Sequence, residues 1–282
     1  MLSYRHGFHA GNAADTHKHA VLLALLAALQ RKAKPLFVLD THGGDGRYDL
    51  TSPEAQRGRE HEAGIGRLLA QPLPPPALAD YLNTVRSFNG GRQPPRHYPG
   101  SPLLLAQRLR PGDRLVCCEQ HPAALQNLAR ALAARPQAHV ERGDGYQALK
   151  ALLPPPEKRA LLLIDPAYEL KDEPERLCVA VKAALRRLRS ASVLIWYPLL
   201  SAGFAQRLRR EAARLAAPKT LVSELWLHPP AAAVNMKGSG LLLLNTPWLL
   251  ERDITAIGDS LARRLATETP GRAVTEWLTC AT

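Results

Sequence analysis

The run Leu161-Leu162-Leu163-Ile164 ends abruptly in Asp165-Pro166-Ala167-Tyr168. Four consecutive apolar residues read as a strand buried on both faces, the pattern of a parallel sheet. Pro166 cannot continue a hydrogen-bonded ladder, so Asp165 is expected where the strand stops. In open α/β sheets ligands bind at that carboxyl edge. A carboxylate and a carbonyl freed from the sheet can accept N–H bonds while a nearby aromatic ring stacks, which suits a planar amine such as a nucleobase. The same residues also fit an ordinary Asp-Pro turn, so the segment decides nothing alone.

A second loop narrows the chemistry. Leu36-Phe37-Val38-Leu39 reads as a buried strand ending at Asp40, followed by Thr41-His42-Gly43-Gly44-Asp45-Gly46. A dinucleotide site needs G-x-G-x-x-G, and Asp49 stands where its third glycine would be. An acid opening the loop would repel a pyrophosphate. It suits S-adenosylmethionine, which carries an ammonium and a sulfonium, and Gly44 and Gly46 let the backbone approach such a ligand. Glu119 ends a second strand, where its carboxylate can take two ribose hydroxyls. It lies far beyond the ~20 residues expected of an uninterrupted unit. Asp144 follows a third strand, placed to accept from an adenine amino group. Each acid alone is an ordinary cap or turn residue; acids at successive strand ends are less ordinary.

The elements that position these residues alternate. A helix is expected from Asn12 to about Lys34, closed by Pro35. Strands are expected at 114–118, 138–141, 192–197, 220–228 and 240–245. Helices are expected at 122–134, 146–152, 174–189, 202–216 and 248–266. The alternation implies a doubly wound, mainly parallel sheet. Residues 49–99 break it with two polar helical patterns, around 53–70 and 76–88, on either side of the Pro-rich stretch 72–76. They read as a helical insertion.

Bulk composition bounds the partners. The 282 residues carry 37 Lys+Arg against 25 Asp+Glu, a formal net charge of +12, which favours a polyanion. An Arg-rich coding bias is the bland alternative. No apolar run approaches the ~20 residues of a membrane span, and the N-terminus lacks the apolar core of a secretory signal. The four cysteines form no framework and read as free thiols in a reducing cytoplasm. His6-x-x-His9 and His17-x-His19 have no cysteine or acid at ligand spacing, so no metal is expected. The clusters Arg186-Arg187-x-Arg189 and Arg207-x-Arg209-Arg210 fit solvated helix faces as well as RNA. Arg57, Arg59, Arg67, Arg92 and Arg96, in the insertion and its flank, are better RNA candidates.

Taken together, these motifs resemble those of class I adenine-N6 methyltransferases. The N-terminal block Met1-Leu2-Ser3-Tyr4-Arg5-His6-x-Phe8-His9-Ala10-Gly11-Asn12 with Asp15, Lys18 and His19 sharpens the match. So do Asp40-Thr41-His42-x-Gly44-x-Gly46-Arg47-Tyr48 and Asn235-Met236-Lys237-Gly238-Ser239-Gly240. The chain resembles the bacterial RlmJ family, which methylates an adenine of 23S rRNA (position 2030 in that RNA).

The resemblance implies a Rossmann-like methyltransferase domain, residues 1–48 and 100–282, with 1–34 as N-terminal motif and helix and 49–99 as an inserted helical subdomain. It implies cofactor contacts at His19, His42, Gly44, Gly46, Ser101, Glu119, Asp144, Gly145 and Asp165, leaving S-adenosylhomocysteine as product. Tyr4, His6 and Lys18 would lie by the active site and the RNA, and Asp165, Pro166 and Tyr168 would serve catalysis. The partner implied is 23S rRNA, naked or in an early large-subunit intermediate. A cytoplasmic monomer with no membrane partner is expected. One departure is Ala167, where the family has a second proline; it frees a backbone N–H and loosens the turn. A DNA adenine methyltransferase and a noncatalytic RNA-binding protein with a retained cofactor fold are the alternatives.

Overall fold

The computed structural model describes residues 5–72, 74–170, 172–200, 202–215, 217–229, 231–266 and 270–279. The first long element, α1 (Ala13–Gln30), is capped by Asn12, whose side chain accepts from Asp15 N. Nearly every residue from Ala14 to Leu26 is buried. A helix buried all round belongs to the core, yet this one carries Asp15, His17, Lys18 and His19 inside it. It stops at Gln30, four residues short of the expected end. Arg110 donates to the carbonyls of Gln30, Lys32 and Lys34, and Arg159 to those of Leu29 and Lys34. These guanidiniums satisfy the open carbonyls that further helical turns would otherwise have paired.

The chain then forms β1 (Phe37–Asp40), β2 (Arg47–Asp49), α2 (Pro53–Gly58), α3 (Arg67–Leu69), α4 (Pro76–Phe88), β3 (His97–Pro99) and α5 (Ser101–Ala106). Regular alternation follows as β4 (Arg114–Glu119), α6 (Pro122–Leu132), β5 (Ala138–Arg142), α7 (Gly145–Ala151), β6 (Ala160–Ile164), α8 (Glu173–Arg187) and β7 (Ser192–Leu199). The last elements are α9 (Ala202–Ala213), β8 (Thr220–Trp226), β9 (Gly238–Leu244), α10 (Leu250–Leu265) and β10 (Arg272–Thr279).

The described strands make an eight-stranded sheet ordered β10-β8-β9-β7-β6-β1-β4-β5, with β2 and β3 as a separate antiparallel ribbon. The five strands from β7 to β5 are parallel, whereas β9 runs antiparallel to β7 and β8, and β10 antiparallel to β8. The doubly wound, mainly parallel sheet expected from the alternation is therefore present. The carboxyl ends of β1, β4, β6 and β7 all fall on one edge.

The strands β2, β3 and β10 and the short helix α5 were not legible. The strand β10 is a half-exposed edge whose residues mix polar and apolar types. The ribbon β2–β3 has only three residues a side, too few for a period. The first helical pattern of the insertion is also broken: Arg59 turns left-handed at φ 47°, and Gly64 leaves helical geometry before α3. Ile65, Leu68, Leu82 and Val85 pack in the same apolar cluster as Leu22 and Leu26 of α1. The insertion thus shares the main core rather than building its own.

Candidate active site

The loop after β1 is stitched to its neighbours. Thr41 N and Oγ1 both donate to the Leu163 carbonyl at 3.0 Å, and Gly43 N donates to Cys118 O at 2.8 Å. Gly44 and Gly46 adopt φ of +60° and +71°, the left-handed region that favours glycine. A side chain at Gly44 would also strike the Tyr48 hydroxyl, and one at Gly145 would strike the Thr41 carbonyl. Glycine is therefore required at both positions by close packing within this edge, against Tyr48 and Thr41.

The acids lie along the same edge. Glu119 accepts from Gly44 N at 2.8 Å and from His121 N at 2.7 Å. Asp144 caps α7 through Tyr146 N at 2.8 Å, with Arg176 3.8 Å away. Asp40 is fully buried and accepts from the Ser101 hydroxyl at 2.6 Å and from His42 N at 3.3 Å. Burial pushes its carboxyl up to about 6, against the opposing Ser101 bond. The His42 ring bonds Thr41 Oγ1 at 2.8 Å and meets Tyr146 edge-on at 5.6 Å. Burial pushes that imidazole down to about 4, so it is neutral at pH 7. Bare glycines with acids at successive strand ends fit S-adenosylmethionine, a ligand with an ammonium, a sulfonium and a ribose diol.

Asp165 is the first residue beyond β6, and Pro166 behind it is buried. Asp165 Oδ2 accepts from Lys18 Nζ at 2.5 Å, and the same ammonium lies 2.9 Å from Asp15 Oδ1. Asp15 Oδ2 accepts from Gly11 N and is bonded to His6 Nε2, both at 2.9 Å. The array is a carboxylate–ammonium–carboxylate–imidazole row that ties the N-terminal segment to the end of β6. Burial alone would raise Asp15, but His6, Lys18 and His19 outweigh it and hold the carboxyl well below its usual range. Burial alone would lower Lys18, yet Asp15 and Asp165 push it above its ordinary value. Lys18 is therefore a fixed cation and cannot serve as a base.

Tyr168 sits at φ +55°. Its hydroxyl donates to Trp196 O at 2.6 Å, and its half-buried ring packs against Trp196 and Phe204. That bond ties the residue after Ala167 to β7.

The expected residues do not all meet the cleft in the same way. Asp165, His42, Gly44, Gly46, Ser101, Glu119, Asp144 and Gly145 gather at the sheet edge, with Lys18 and His6 above them. His19 is enclosed in the core, its ring bonded to Tyr98 Oη at 2.7 Å, and Tyr98 in turn to Tyr81 at 2.8 Å. Burial pushes its imidazole down to about 3. Tyr4 lies outside the described residues. Asp15, Trp196 and Ser239 were missed as parts of the site, although an acid and a lysine three residues apart inside an apolar helix were a readable signal for Asp15.

Half of the arginines in the helical clusters are engaged within the protein. Arg207 pairs with Glu175, Arg209 with Glu224 and Glu276, and Arg187 donates to Leu153 O. In the insertion, Arg59 pairs with Glu62, and Arg67 donates to Ala266 O. Arg57, Arg92 and Arg96 are exposed. Among the described residues no group of three or more His, Cys, Asp or Glu is arranged to hold a metal. No described helix is long and apolar enough to cross a membrane.

Residues 33–279 match the family described as ribosomal RNA large subunit methyltransferase D, RlmJ. The chain belongs to the RlmJ family. Ribosomal RNA large subunit methyltransferase J of Haemophilus influenzae is 38% identical over 279 residues, and that of Escherichia coli 37% identical over 278, each covering 99% of both chains. A crystal structure of a Legionella pneumophila protein superposes with a TM-score of 0.87 at 33% identity, covering 95% of this chain and 98% of that one. The fold is that of class I S-adenosylmethionine-dependent methyltransferases. Within this family frame, the glycine loop with its strand-end acids and the Asp165–Lys18–Asp15 row are the two halves of one candidate centre.

Proposed function

We propose that this RlmJ-family chain transfers a methyl group from S-adenosylmethionine to the exocyclic N6 of an adenine in 23S rRNA, position 2030 by analogy with its family. The observation that carries the reading is Asp165-Pro166-Ala167-Tyr168 at the end of β6, with one Asp165 oxygen held by Lys18. Asp165 Oδ1 has no hydrogen-bond partner among the described residues, so it is open to an incoming donor. When bound, S-adenosylmethionine supplies an electrophilic methyl group on a sulfonium.

The adenine amine is a poor nucleophile because its lone pair is delocalised into the ring. Asp165 Oδ1 and the Pro166 carbonyl can each accept one amine hydrogen, which turns the lone pair out of conjugation. Such acceptors act by positioning and by favouring the positive charge that develops on nitrogen. Asp165 is also placed to take the released proton. Lys18 fixes the carboxylate without competing for that proton. Tyr168 offers a partly exposed ring for stacking. The target base must leave its stack to enter, which costs least for an unpaired nucleotide.

The RNA would extend over the β2–β3 ribbon. Arg47 donates to His97 Nε2 at 2.9 Å, and burial with Arg47, Arg96 and Arg92 lowers the His97 imidazole. Arg47 on the ribbon, with Arg92 and Arg96 in the loop leading into β3, is complementary to a phosphate backbone. Charge reversal of Arg92 and Arg96 to Glu is expected to weaken RNA binding and to reduce the slope of log K against log salt by about 2. Titration of RNA binding at several salt concentrations checks this, and cofactor affinity should not change.

Cofactor binding should depend on Asp40. Ionised, it accepts from both Ser101 and His42; protonated, it loses part of that hold. S-adenosylmethionine affinity is expected to fall about tenfold between pH 7.5 and 5, following a group near pH 6. Calorimetry with Asp40→Asn should show a flat profile. Unfolding through Asp40 would run the other way: its pKa is raised, so its contribution to stability is full below about 3.8 and lost as pH rises through about 6.

Labelled S-adenosylmethionine offered with protein-free 23S rRNA, 16S rRNA or DNA tests the proposal. Transfer to 23S rRNA alone is expected. Transfer only to DNA would overturn it.

A further inference from the structure

Trp196 joins groups that no single element would bring together. It lies in β7 with its indole half-buried beneath α1. Its Nε1–H donates to Ser239 Oγ of β9 at 3.0 Å. That hydroxyl is also bonded to His17 Nδ1 at 3.1 Å, while His17 Nε2 meets Ser223 Oγ of β8 at 3.0 Å. One imidazole thus pins α1 across two strands, and the Trp196 indole is tied to the same point. His17 is wholly enclosed, and burial pushes it down to about 3, so it adds no charge beside Lys18.

The other faces of Trp196 meet the acceptor turn. The Lys18 ammonium, with two of its donors directed at Asp15 and Asp165, lies 5.8 Å from the indole ring centroid. That is within reach of a cation–π contact. The Tyr168 ring centroid is 5.9 Å from the indole, and the Trp196 carbonyl accepts the Tyr168 hydroxyl. A buried indole N–H needs an acceptor in any role, but the one used by Trp196 is the Ser239 hydroxyl that also binds His17, and the Lys18 ammonium neighbours the same ring. Here the indole orientation sets both the cation that grips Asp165 and the ring beside it.

We propose that Trp196, locked by the Ser239–His17 pair, is a positioning residue for methyl transfer, fixing Lys18 against Asp165 and Tyr168 beside them. The proposal rests on the reading of Asp165 and Tyr168 as the acceptor site. It contacts no reacting atom and acts through those three residues.

Trp196→Phe keeps an aromatic ring but loses the N–H anchor, and Ser239→Ala removes the acceptor while keeping the indole. Both are measured in the full chain for kcat, KM for 23S rRNA, S-adenosylmethionine Kd and Tm, with Asp165→Asn as control. Trp196→Phe is expected to lower kcat about 10- to 100-fold, the scale of a misplaced reacting group, with cofactor Kd within about twofold. Ser239→Ala should show the same split more weakly. The double variant should be no worse than Trp196→Phe, because both act through one indole.

A kcat within about twofold of wild type for both variants would overturn the proposal, as would equal losses in kcat and cofactor affinity. If Trp196→Phe does not fold, Ser239→Ala decides alone by the same split. Should Asp165→Asn remain active, the acceptor-site reading itself fails. Should Asp165→Asn be inactive while both other variants turn over normally, only the role of Trp196 falls.

Discussion

Asp165→Asn is expected to lower single-turnover methyl transfer to 23S rRNA by about 10³-fold while RNA and cofactor affinities change by only a few fold. The substitution keeps the shape of the side chain but replaces a carboxylate by an amide. An amide can turn N–H donors towards an amine whose hydrogens need acceptors, so the lone pair is no longer held towards the methyl group. It also loses the charge that favours the cationic nitrogen formed during transfer. Removing one such preorganised contact typically costs 10²- to 10³-fold, and here two functions are lost together. Lys18 would still be held by Asp15 at 2.9 Å, so the surrounding array should survive. Rapid-quench kinetics with saturating RNA separate the chemical step from binding; a loss confined to affinity would contradict the assigned role.

The second large effect is on stability. Lys18→Met should destabilise the fold by about 3–5 kcal/mol, because removing one partner of a buried pair strands the other charge. The stranded group is Asp15, which is 1% exposed. For a chain of this size such a loss lowers Tm by roughly 10 °C. The double variant Asp15→Asn/Lys18→Met should recover part of the loss, since the buried Asp15 charge is then gone and only the more exposed Asp165 lacks its ammonium. The pH dependence has a definite sign. The carboxyl of Asp15 is depressed, so its contribution is present above about pH 3.8 and disappears as pH falls through its lower folded value. The ammonium of Lys18 is raised, so its contribution is full below about 10.5 and is lost only in stronger base. The gap in Tm between wild type and Lys18→Met should therefore close in acid, which differential scanning calorimetry can follow.

What the sequence revealed depended on how local each signal was. The run ending in Asp165-Pro166 and the Gly44-x-Gly46 loop announce themselves within a few residues, because a strand end and a positive φ are local events. The strand-end acids Glu119 and Asp144 were readable for the same reason. By contrast, the bond from His17 to Ser239 spans 222 residues, and no period or propensity encodes it. Trp196 looked like one more apolar residue of a buried strand until β9 placed Ser239 beside its indole. The enclosure of His19 by Tyr98 depends on the β2–β3 ribbon, which is too short to leave a pattern. The shortened α1 is a similar case: its end is set by Arg110 and Arg159, which lie far along the chain, and not by Pro35. The net charge pointed to a polyanion, but which arginines are free for one was not readable: Arg207 and Arg209 are paired with Glu175, Glu224 and Glu276.

The central claim, that this chain methylates adenine N6 in 23S rRNA, is tested most directly by the chemistry of the product. Unmodified 23S rRNA incubated with the full chain and S-adenosylmethionine is digested to nucleosides and to mapped fragments, and the methylated species is identified by mass spectrometry against standards. The account predicts N6-methyladenosine at a single adenine, absent when Asp165→Asn replaces the wild type. Methyl transfer to another base or another atom of adenine would contradict it, as would a full yield of product from Asp165→Asn.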